Sequence, residues 1–425
     1  MPAFSTISMI GLGYIGLPTA ALFAAHGVQV IGVDVSAHVV ETVNAGKIHI
    51  VEPELDGIVH KAVSAGKLRA TLVPEPADAF IIAVPTPFRD GYQPDLSYIR
   101  SACDMIAPVL RPGNLVILES TSPVGATEQL ALWLAEARPD LSFPQSAGDG
   151  ADIQVAHCPE RVLPGHVVRE LVENDRIIGG MTARASAMAV ALYQIVVRGD
   201  CVITNARTAE MCKLTENSSR DVSIAFANEL SIICDKLEID VWELISLANR
   251  HPRVNILQPG AGVGGHCIAV DPWFIVASAP DEARLIRAAR EGNDAKPKWV
   301  LQKGRDAVLA VLAANPRRAM ADITVACLGL AFKPNIDDLR ESPAVQITRD
   351  FAGLGCKVLA VEPHITALPG SFATLPVVLT GLEEALATAD VICVLVKHDA
   401  FRSLRSTLPD RLAAGVRLVD VVGLI

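Results

Sequence analysis

A glycine-rich turn, GLGYIG at residues 11–16, lies between a strand pattern and a helix pattern and constrains the fold more than any other feature of this chain. Gly11 suits a tight turn, Gly13 leaves room for a pyrophosphate beside the backbone, and Gly16 lets the helix pack on the strand. The helix N-terminus then faces the phosphates. The next strand pattern ends at Asp34, where a carboxylate suits a ribose 2′-hydroxyl, and no arginine adjoins it. The turn therefore predicts a Rossmann domain that binds NAD rather than NADP, the alternative being a glycine turn that binds nothing.

Short β-branched runs alternate with helical stretches through the first part of the chain, which predicts βαβ units and a parallel sheet. We predict strands at Ile7–Ile10, Val28–Val33, Ala79–Val84, Leu115–Leu118, Ile153–Ala156 and Arg176–Ile178. The segment 139–152 is rich in proline, glycine, serine and aspartate, and it predicts a surface loop inside this domain.

The pattern changes near Thr208. Residues 208–250 have helical periodicity without proline or glycine, so we expect one or two long helices. A loop rich in proline and glycine follows at 252–271, then more helix to about Ala314. The βαβ pattern restarts near Asp322, with strands predicted at Ile323–Leu328, Lys357–Val361, Ala389–Val396 and Arg417–Val421.

The predicted fold is therefore α/β, with two Rossmann-like, doubly wound parallel-sheet domains joined by a long-helix connector. We expect an N-terminal NAD-binding domain at 1–205, a central helical domain for dimerisation and catalysis at 206–315, and a C-terminal domain at 316–425.

The bulk composition narrows the classes of protein further. At 425 residues the chain exceeds a single core, so several domains are expected. No apolar run reaches the roughly 18 residues of a membrane span, and the first strand pattern begins too early for a signal peptide. Nine cysteines without CxxC pairs indicate free thiols in a reducing compartment, so we expect a cytoplasmic protein. The net charge of −10 argues against binding to nucleic acid or acidic lipid.

Two hydroxyl-rich segments, VPTP at 84–87 and ESTSPVG at 119–125, each follow a predicted strand. They therefore fall at the carboxyl edge of the sheet, where doubly wound folds bind their ligands. Their spacing alone favours ordinary turn chemistry over a binding site.

A polar stripe marks the predicted helix that starts near Thr208. Lys213, Asn217 and Arg220 lie at i, i+4 and i+7, on one face of a helix that otherwise has the composition of a buried one. A lysine on such a helix is desolvated, which lowers its pKa and makes it a candidate general acid or base. The alternative is a solvated polar face. Apolar residues occupy the other faces of this helix: Met211, Leu214, Val222, Phe226 and Leu230.

A second candidate centre is GGHCIAVD at 264–271. The two glycines permit close backbone approach, and Cys267 is followed four residues later by Asp271. A thiolate can add to an aldehyde, while a nearby carboxylate can position water. Seven or eight of the cysteines fit the alternative of a small buried hydrophobe. No second cysteine or histidine falls at zinc-ligand spacing, so we expect no metal.

Seven ordered motifs, spread over the whole chain, resemble those of the UDP-sugar 6-dehydrogenases, the UDP-glucose/GDP-mannose dehydrogenase family. They are GLGYIGLP, VPTP, ESTSPVG, CPERVLPG, KLTEN, GVGGHCIAVDP and AFKPNIDDLRESP. The resemblance implies an NAD-dependent, four-electron oxidation of a primary alcohol on a UDP-hexose, carried out by a homodimer or a dimer-based oligomer. Two segments, CPERVLPG at 158–165 and NRHPRVNILQPG at 249–260, are similar to the branch that oxidises UDP-N-acetyl-D-mannosamine to its uronate for surface polysaccharides of the enterobacterial common antigen type.

The resemblance also implies roles for individual residues. Lys213 and Asn217 would handle the alcohol proton and the developing oxyanion, and Cys267 would capture the aldehyde. Asp271, Thr121 and Glu160 would hold the water that releases the acid. The implied NAD contacts, in addition to the three turn glycines, are Tyr14, Ile15, Asp34, Thr86, Thr127 and Arg340. The implied substrate contacts, in addition to Lys213 and Asn217, are Arg161, Val162, Arg220, His251, Arg253, Gly264, Phe332 and Lys333.

The chain departs from the family pattern at two places. Pro164 stands where many relatives have a second glutamate, which leaves hydrolysis to Asp271 or another acid. Residues 420–423 read DVVG, where relatives usually have a basic residue after the aspartate. The alternative substrates within the family are UDP-N-acetylglucosamine and UDP-glucose. A β-hydroxyacid dehydrogenase would need neither Cys267 nor a second nucleotide-binding domain, and a non-enzymatic NAD-binding module would leave Lys213 and Cys267 unexplained.

Overall fold

A computed structural model describes residues 4–50, 52–163, 165–265 and 267–425. The chain divides into two compact units, Met1–Glu216 and Asn217–Ile425. Pro164 lies outside the described residues. Within the described part of the chain, no helix is both long enough and apolar enough to cross a membrane.

The first unit is built on an eight-stranded sheet with the order β10-β9-β8-β7-β4-β1-β2-β3. A short antiparallel hairpin, β5 with β6, lies apart from it. The strands are β1 (Thr6–Ile10), β2 (Gln29–Val33), β3 (Leu68–Thr71), β4 (Ala79–Ile82), β5 (Phe88–Arg89), β6 (Gln93–Pro94), β7 (Leu115–Leu118), β8 (Gln154–His157), β9 (Arg176–Gly180) and β10 (Cys201–Asn205).

Helices cover both faces of this sheet, and every residue of β4, β7 and β8 is buried. Two apolar clusters, one on each face, form the core, as expected for a sheet whose connections are helical. The helices are α1 (Gly16–Ala25), α2 (Ala37–Asn44), α3 (Leu55–Ser64), α4 (Ser97–Ile106), α5 (Ala126–Ala137), α6 (Pro144–Ala147), α7 (Val167–Glu173) and α8 (Ala183–Tyr193).

The predicted strands of this unit are all present, with ends that differ by a few residues, but three details differ from the prediction. The sheet is not parallel throughout, because β9 runs antiparallel to β8. The edge strands β3 and β10 were not predicted; β10 is largely exposed and lacks the apolar signal of a buried strand. The predicted surface loop at 139–152 contains α6 and a 3₁₀ turn at Gly148–Gly150, with Phe143 buried in the core.

A 31-residue helix, α9 (Ala206–Lys236), follows β10, and a shorter helix, α10 (Val241–Ala248), comes next. This confirms the one or two helices predicted for 208–250. The expectation that α9 is otherwise buried is wrong, since Met211 and Phe226 are exposed while Leu214 is fully buried. Periodicity shows that apolar residues share a face, but it does not show whether this chain covers that face.

The second unit contains a five-stranded parallel sheet with the order β13-β12-β11-β14-β15. Its strands are β11 (Thr324–Leu328), β12 (Lys357–Val361), β13 (Val377–Leu379), β14 (Val391–Val394) and β15 (Arg417–Asp420). Its remaining helices are α11 (Asp271–Ser278), α12 (Arg284–Ala314), α13 (Pro343–Gly353), α14 (Leu382–Thr388) and α15 (Leu404–Ala413). The end of α12 at Ala314 matches the prediction, and the fold class predicted from the sequence is confirmed.

The two sheets repeat one design. The order β3-β2-β1-β4-β7 in the first corresponds to β13-β12-β11-β14-β15 in the second. In each, a glycine with positive φ follows the first strand and donates its N–H to the last residue of the next strand. Gly11 (φ 92°) donates to the Val33 carbonyl and Gly329 (φ 90°) to the Val361 carbonyl, both at 2.8 Å. An acid follows immediately in both, Asp34 in one and Glu362 in the other.

Candidate active site

The glycine turn of the first unit has the geometry of a nucleotide-binding turn. A Cβ on Gly11 would lie 2.5 Å from the Ala83 carbonyl oxygen, and one on Gly16 would lie 1.9 Å from the Gly11 carbonyl oxygen. Packing therefore requires glycine at both positions. Nothing lies within 4 Å of a Cβ built on Gly13, which has no positive φ. The fold does not need glycine at that position, whereas a pyrophosphate approaching the backbone does.

Asp34 lies at the carboxyl end of β2, beside this turn. Its Oδ2 accepts the Leu12 N–H at 3.0 Å, and its Oδ1 accepts the Ser36 N–H at 2.9 Å. These two backbone donors fix the carboxylate and leave lone pairs on both oxygens for a ribose hydroxyl. Tyr14 is partly exposed at the mouth of the turn, and Ile15 is half-buried behind it. The turn and its acid therefore fit NAD.

The hydroxyl-rich segments adjoin each other at the carboxyl edge of the sheet. Thr86 Oγ1 donates to the Thr121 carbonyl at 2.5 Å. Thr127, an implied NAD contact, is fully buried, and its N–H and Oγ1 both donate to Glu210 at 2.7 and 2.6 Å. Glu210 also accepts the Gly125 N–H at 2.6 Å, so it caps the N-terminus of α5. Burial raises the pKa of Glu210 despite these donors.

Sequence reasoning missed Glu210 as a capping residue, and it also missed the partner of Glu119. Glu119 is completely buried at the end of β7, where it forms an ion pair with Arg176 and accepts the Tyr193 hydroxyl at 3.1 Å. The Arg176 guanidinium stacks on the Tyr193 ring, 4.3 Å from its centroid. This cluster anchors the strand end from which Thr121 projects. No local pattern pairs residues so far apart along the chain.

Lys213 and Glu160 form the chemically distinctive pair of the first unit. Lys213 Nζ lies 3.0 Å from Glu160 Oε1, and the two side chains are only 7% and 10% exposed. Glu160 Oε2 also accepts the Val162 N–H at 2.9 Å. A charged pair shielded from water in this way needs its partners in place, because removing one leaves a buried charge unpaired. The structure therefore joins two residues that the resemblance assigned to different steps.

The segment after Glu160 is held by further acids. Arg161 pairs with Glu216 at 2.7 Å, and Val162 packs against the core. Glu52, buried and not predicted from the sequence, accepts the backbone N–H groups of Gly165 and Val167 at 2.9 and 2.7 Å. These contacts fix the Arg161 side chain and the backbone that follows Val162.

The second unit places Asn217, Cys267 and Asp271 in one chain of contacts. Asn217 Nδ2 donates to Asp271 Oδ2 at 2.5 Å, and Asp271, which is 3% exposed, is the first residue of α11. The Asp271 N–H donates to the Cys267 carbonyl at 2.8 Å, so the cysteine adjoins the first turn of this helix.

Four of the other cysteines differ from Cys267 in being fully buried. Burial raises the pKa of Cys103 and Cys327 to about 12 and also raises that of Cys158 and Cys393. Cys267 is half-buried in a glycine-rich turn. Reactive thiols require accessibility together with a stabilised thiolate, so the four buried thiols are poor nucleophiles.

The two glycines before Cys267 pack against a loop of the second sheet. A Cβ on Gly264 would lie 2.4 Å from the Glu341 carbonyl oxygen and 2.9 Å from Phe332 Cβ. Gly265 has a φ of 83°, and a Cβ there would lie 3.0 Å from the Phe332 ring. The Gly265 N–H donates to the Arg340 carbonyl at 3.1 Å. Gly264 therefore serves packing, and Phe332 lies beside the cysteine turn.

The remaining predicted residues lie at the surface or are partly buried. Arg220, His251 and Arg253 are exposed, and Lys333 is half-buried. The Arg340 side chain pairs with Asp338 at 2.6 Å.

At the C-terminus, Asp420 accepts the N–H groups of Val422, Leu424 and Ile425. Lys397 Nζ donates to the Gly423 carbonyl at 2.7 Å, so a basic group does reach this segment, although it comes from another part of the chain.

The fold and these side chains define a class: an NAD-binding α/β dehydrogenase with a second Rossmann-like domain. Models of the UDP-glucose/GDP-mannose dehydrogenase family match residues 5–197 (NAD binding domain), 207–295 (central domain) and 326–425 (UDP binding domain). The chain belongs to this family and is an NAD-dependent oxidoreductase, which confirms the predicted class of enzyme and its cofactor.

Individual relatives are similar over nearly the whole chain. UDP-N-acetyl-D-mannosamine dehydrogenase of Yersinia pestis is 63% identical, covering 95% of this chain and 96% of that protein. NDP-N-acetyl-D-galactosaminuronic acid dehydrogenase of Ralstonia nicotianae is 62% identical, covering 99% and 96%. The solved structure of UDP-D-ManNAc dehydrogenase from Pyrococcus horikoshii superposes with a TM-score of 0.86 at 37% identity, covering 99% and 96%.

The position of Asp34 leads to a prediction about the cofactor. A 2′-phosphate beside this carboxylate is repelled, so NAD is expected to be preferred over NADP by at least about tenfold, or about 1.4 kcal/mol. The ratio of kcat/KM for the two cofactors measures the preference. Asp34→Ala is expected to weaken NAD binding and to bring the kcat/KM values for NAD and NADP closer together. Asp56→Ala, which alters an acid of α3, serves as the control and is expected to leave both values unchanged. Equal efficiency of the wild-type enzyme with both cofactors would show that Asp34 does not select between them.

Proposed function

We propose that the enzyme oxidises UDP-N-acetyl-D-mannosamine at C6 to UDP-N-acetyl-D-mannosaminuronate, using NAD twice. One chain of contacts supports the proposal: Asn217 Nδ2 donates to Asp271 Oδ2, and the Asp271 N–H donates to the carbonyl of Cys267, whose thiol is suited to holding an aldehyde. The name of the Yersinia pestis relative and the match to a UDP binding domain support the substrate. The product is a uronate suited to surface polysaccharides, including those of the enterobacterial common antigen type.

The first oxidation needs a group that takes the alcohol proton while hydride leaves C6. Bound NAD supplies the hydride acceptor. Glu160 lies within hydrogen-bond distance of Lys213 Nζ, so it can take the ammonium proton and leave an amine able to accept the proton of the C6 hydroxyl. Asn217, one helical turn further along α9, offers an amide donor for the developing oxyanion.

The second oxidation proceeds on Cys267. The thiolate adds to the aldehyde carbon and the oxygen gains a proton, which gives a thiohemiacetal. Loss of a second hydride and a proton gives a thioester, and water then releases the carboxylic acid and restores the thiol. Overall, one alcohol, two NAD⁺ and one water give one carboxylic acid, two NADH and two protons. Asp271 holds this water, and we assign Thr121 and Glu160 to the same task.

We assign the remaining site residues by the resemblance of their motifs to those of the family. The turn residues Gly11–Gly16 bind NAD together with Asp34, Thr86, Thr127 and Arg340. The residues that contact the UDP-sugar, besides Lys213 and Asn217, are Arg161, Val162, Arg220, His251, Arg253, Gly264, Phe332 and Lys333.

We also propose domains at 1–205, 206–315 and 316–425, which agree in number with the three family models. Eight cysteines other than Cys267 form no disulfide, which supports a reducing, cytoplasmic location.

The substrate is tested by comparing UDP-sugars under one set of conditions. We expect kcat/KM for UDP-N-acetylmannosamine to exceed that for UDP-N-acetylglucosamine and UDP-glucose by at least about tenfold. UDP-N-acetylgalactosamine belongs in the same assay, because the Ralstonia nicotianae relative is named for an N-acetylgalactosaminuronic acid. If another sugar is the best substrate, the proposed epimer is wrong while the oxidation chemistry stands. If none of the four yields NADH, the proposed activity is wrong.

We also propose a homodimer formed through an apolar stripe of α9. Phe226, Ile233 and Leu237 are 53%, 43% and 59% exposed, and half-buried Leu230 lies between them. Phe226, Leu230 and Ile233 lie at i, i+4 and i+7 on one face of α9, and Leu237 comes directly after the helix, with its N–H donating to the Ile233 carbonyl at 3.0 Å. A second copy fits because the same stripe on two chains is complementary to itself about a two-fold axis.

The stripe is tested by the mass of the protein in solution. We expect light scattering to give about twice the 45.1 kDa of the chain, since dimers are the commonest oligomers. Phe226→Glu with Ile233→Glu is expected to give monomers, because each carboxylate in an apolar interface loses its hydration. Leu309→Glu alters a similarly exposed leucine on α12 and is expected to leave the mass unchanged. A dimer that survives the double substitution would place the interface elsewhere.

A further inference from the structure

Glu362 occupies the position in the second sheet that Asp34 occupies in the first, but its carboxylate is used differently. It is buried, and its Oε2 accepts the N–H groups of Leu330 and Ala331 at 2.7 and 3.0 Å. Its Oε1 accepts the His364 N–H at 3.2 Å. Burial acts to raise the pKa of Glu362, but the hydrogen bonds from His398 and the backbone outweigh it and lower the pKa. Asp34 accepts the equivalent N–H groups of Leu12 and Ser36 but stays partly exposed and available to a ribose, whereas Glu362 is buried and also binds Ala331 and His398.

His398 completes this arrangement from the segment after β14. It is fully buried, and its Nε2 lies 3.0 Å from Glu362 Oε2. Its Nδ1 accepts the Asn335 N–H at 2.9 Å, so the hydrogen of the neutral ring is on Nε2 and points at Glu362. Glu362, His364 and His398 form a group at metal-ligand distance in the described part of the chain. Because both ring nitrogens of His398 already have partners, this group fits a hydrogen-bonded clamp better than a metal site.

The clamp fixes the loop Gly329–Asn335 at both ends. Glu362 holds its start through two N–H groups, and His398 holds its end through Asn335. Asn335 has a φ of 61°, and its side chain exchanges two hydrogen bonds with Asp399 at 3.1 and 3.0 Å. A residue kept in the left-handed region requires such support from its surroundings.

The middle of this loop contacts the cysteine turn. A Cβ on Gly265 would lie 3.0 Å from the Phe332 ring, so the ring lies directly on this glycine. The Phe332 N–H donates to the Asp338 carbonyl at 3.1 Å, and the Arg340 carbonyl accepts the Gly265 N–H at 3.1 Å. The loop Gly329–Asn335 therefore packs on the turn that contains Cys267 through Phe332, and the segment after the loop hydrogen bonds to the same turn through Arg340.

We propose that Glu362 and His398 are positioning residues for the oxidation: they fix the loop at 329–335 so that Phe332 holds the Cys267 turn in its reactive geometry. This inference rests on the proposed function of Cys267. The two residues act through Phe332 and Gly265, and they need not touch the substrate. The acid that follows the second strand therefore has a different role in each sheet. Asp34 in the first sheet binds the nucleotide, and Glu362 in the second sheet supports the turn that contains Cys267.

The test compares three variants of the full-length enzyme. His398→Leu removes both hydrogen bonds of the ring. His398→Gln keeps an acceptor for Asn335 and a donor for Glu362, because its amide carries both groups. Cys393→Ala removes a buried side chain of β14 that belongs to the apolar core of the second sheet, and it controls for general loss of stability. The measurements are kcat and KM for UDP-sugar and for NAD, the rate of Cys267 alkylation by iodoacetamide followed by peptide mass spectrometry, and the Tm.

We expect His398→Leu to raise KM for UDP-sugar and to change the alkylation rate of Cys267, each by about tenfold, with KM for NAD within about twofold of wild type. His398→Gln is expected to restore both quantities. Cys393→Ala is expected to lower the Tm and leave both unchanged. The inference is overturned if His398→Leu behaves like Cys393→Ala, or if His398→Gln fails to rescue. A changed alkylation rate in a protein whose wild type oxidises no UDP-sugar would overturn the proposed function and leave the positioning role intact.

Discussion

Lys213→Ala is expected to suppress even a single turnover, slowing NADH formation by roughly 10²–10⁴-fold, because proton removal from the alcohol belongs to the first hydride transfer. The structure adds a reason for this size of effect. Lys213 is buried against Glu160 at 3.0 Å, and alanine has no group that can accept the alcohol proton there. The measurement is rapid-mixing absorbance of NADH with enzyme in excess over UDP-sugar. A normal burst in Lys213→Ala would show that the lysine only binds substrate or supports the fold.

The controls separate chemistry from stability. Lys213→Ala leaves Glu160 buried without its partner, which is destabilising in itself. The double variant Lys213→Met with Glu160→Gln removes both charges and is expected to recover Tm without recovering the burst. Lys296→Met alters a different buried lysine, on α12, whose pKa burial lowers to about 7. It is expected to retain the burst, because Lys296 stacks on Trp299 and has no part in the proposed chemistry.

The features that the sequence predicted well are those set by short stretches of chain. The turn GLGYIG and the strand before it identify a Rossmann unit because three glycines at fixed spacing satisfy local backbone requirements. The helix α9 and the end of α12 at Ala314 follow from periodicity and breakers. The antiparallel direction of β9 did not follow, because a buried strand has the same composition in either direction.

The partners of the site residues depend on contacts between distant segments. Glu210 caps α5 from 83 residues further along the chain, and His398 reaches Asn335 across 63 residues. No spacing rule connects such pairs. The sequence therefore identified Lys213 and Cys267 as candidates, but it did not show that Glu160 pairs with one or that Phe332 braces the turn of the other.

The wild-type enzyme is expected to form about two NADH per UDP-sugar without releasing aldehyde, because Cys267 holds the intermediate between the two oxidations. Complete conversion of limiting substrate gives this ratio directly from the absorbance of NADH. A ratio of about one would show that oxidation stops at the aldehyde and that no thioester forms.

Cys267→Ser is expected to stop the second oxidation from following the first, so that the enzyme stalls after about one NADH. A serine alkoxide is hard to form, and an ester hydrolyses slowly. The first hydride transfer needs Lys213 rather than the thiol, so a burst remains in Cys267→Ser and is absent in Lys213→Ala. Mass spectrometry of the protein after a single turnover shows whether an adduct is trapped. Cys201→Ser alters another half-buried cysteine, whose pKa burial raises, and it is expected to give the full wild-type ratio. If Cys267→Ser also forms about two NADH at the normal rate, another group captures the aldehyde. The hydrogen bond from the Asp271 N–H to the Cys267 carbonyl would then serve only the fold of the turn.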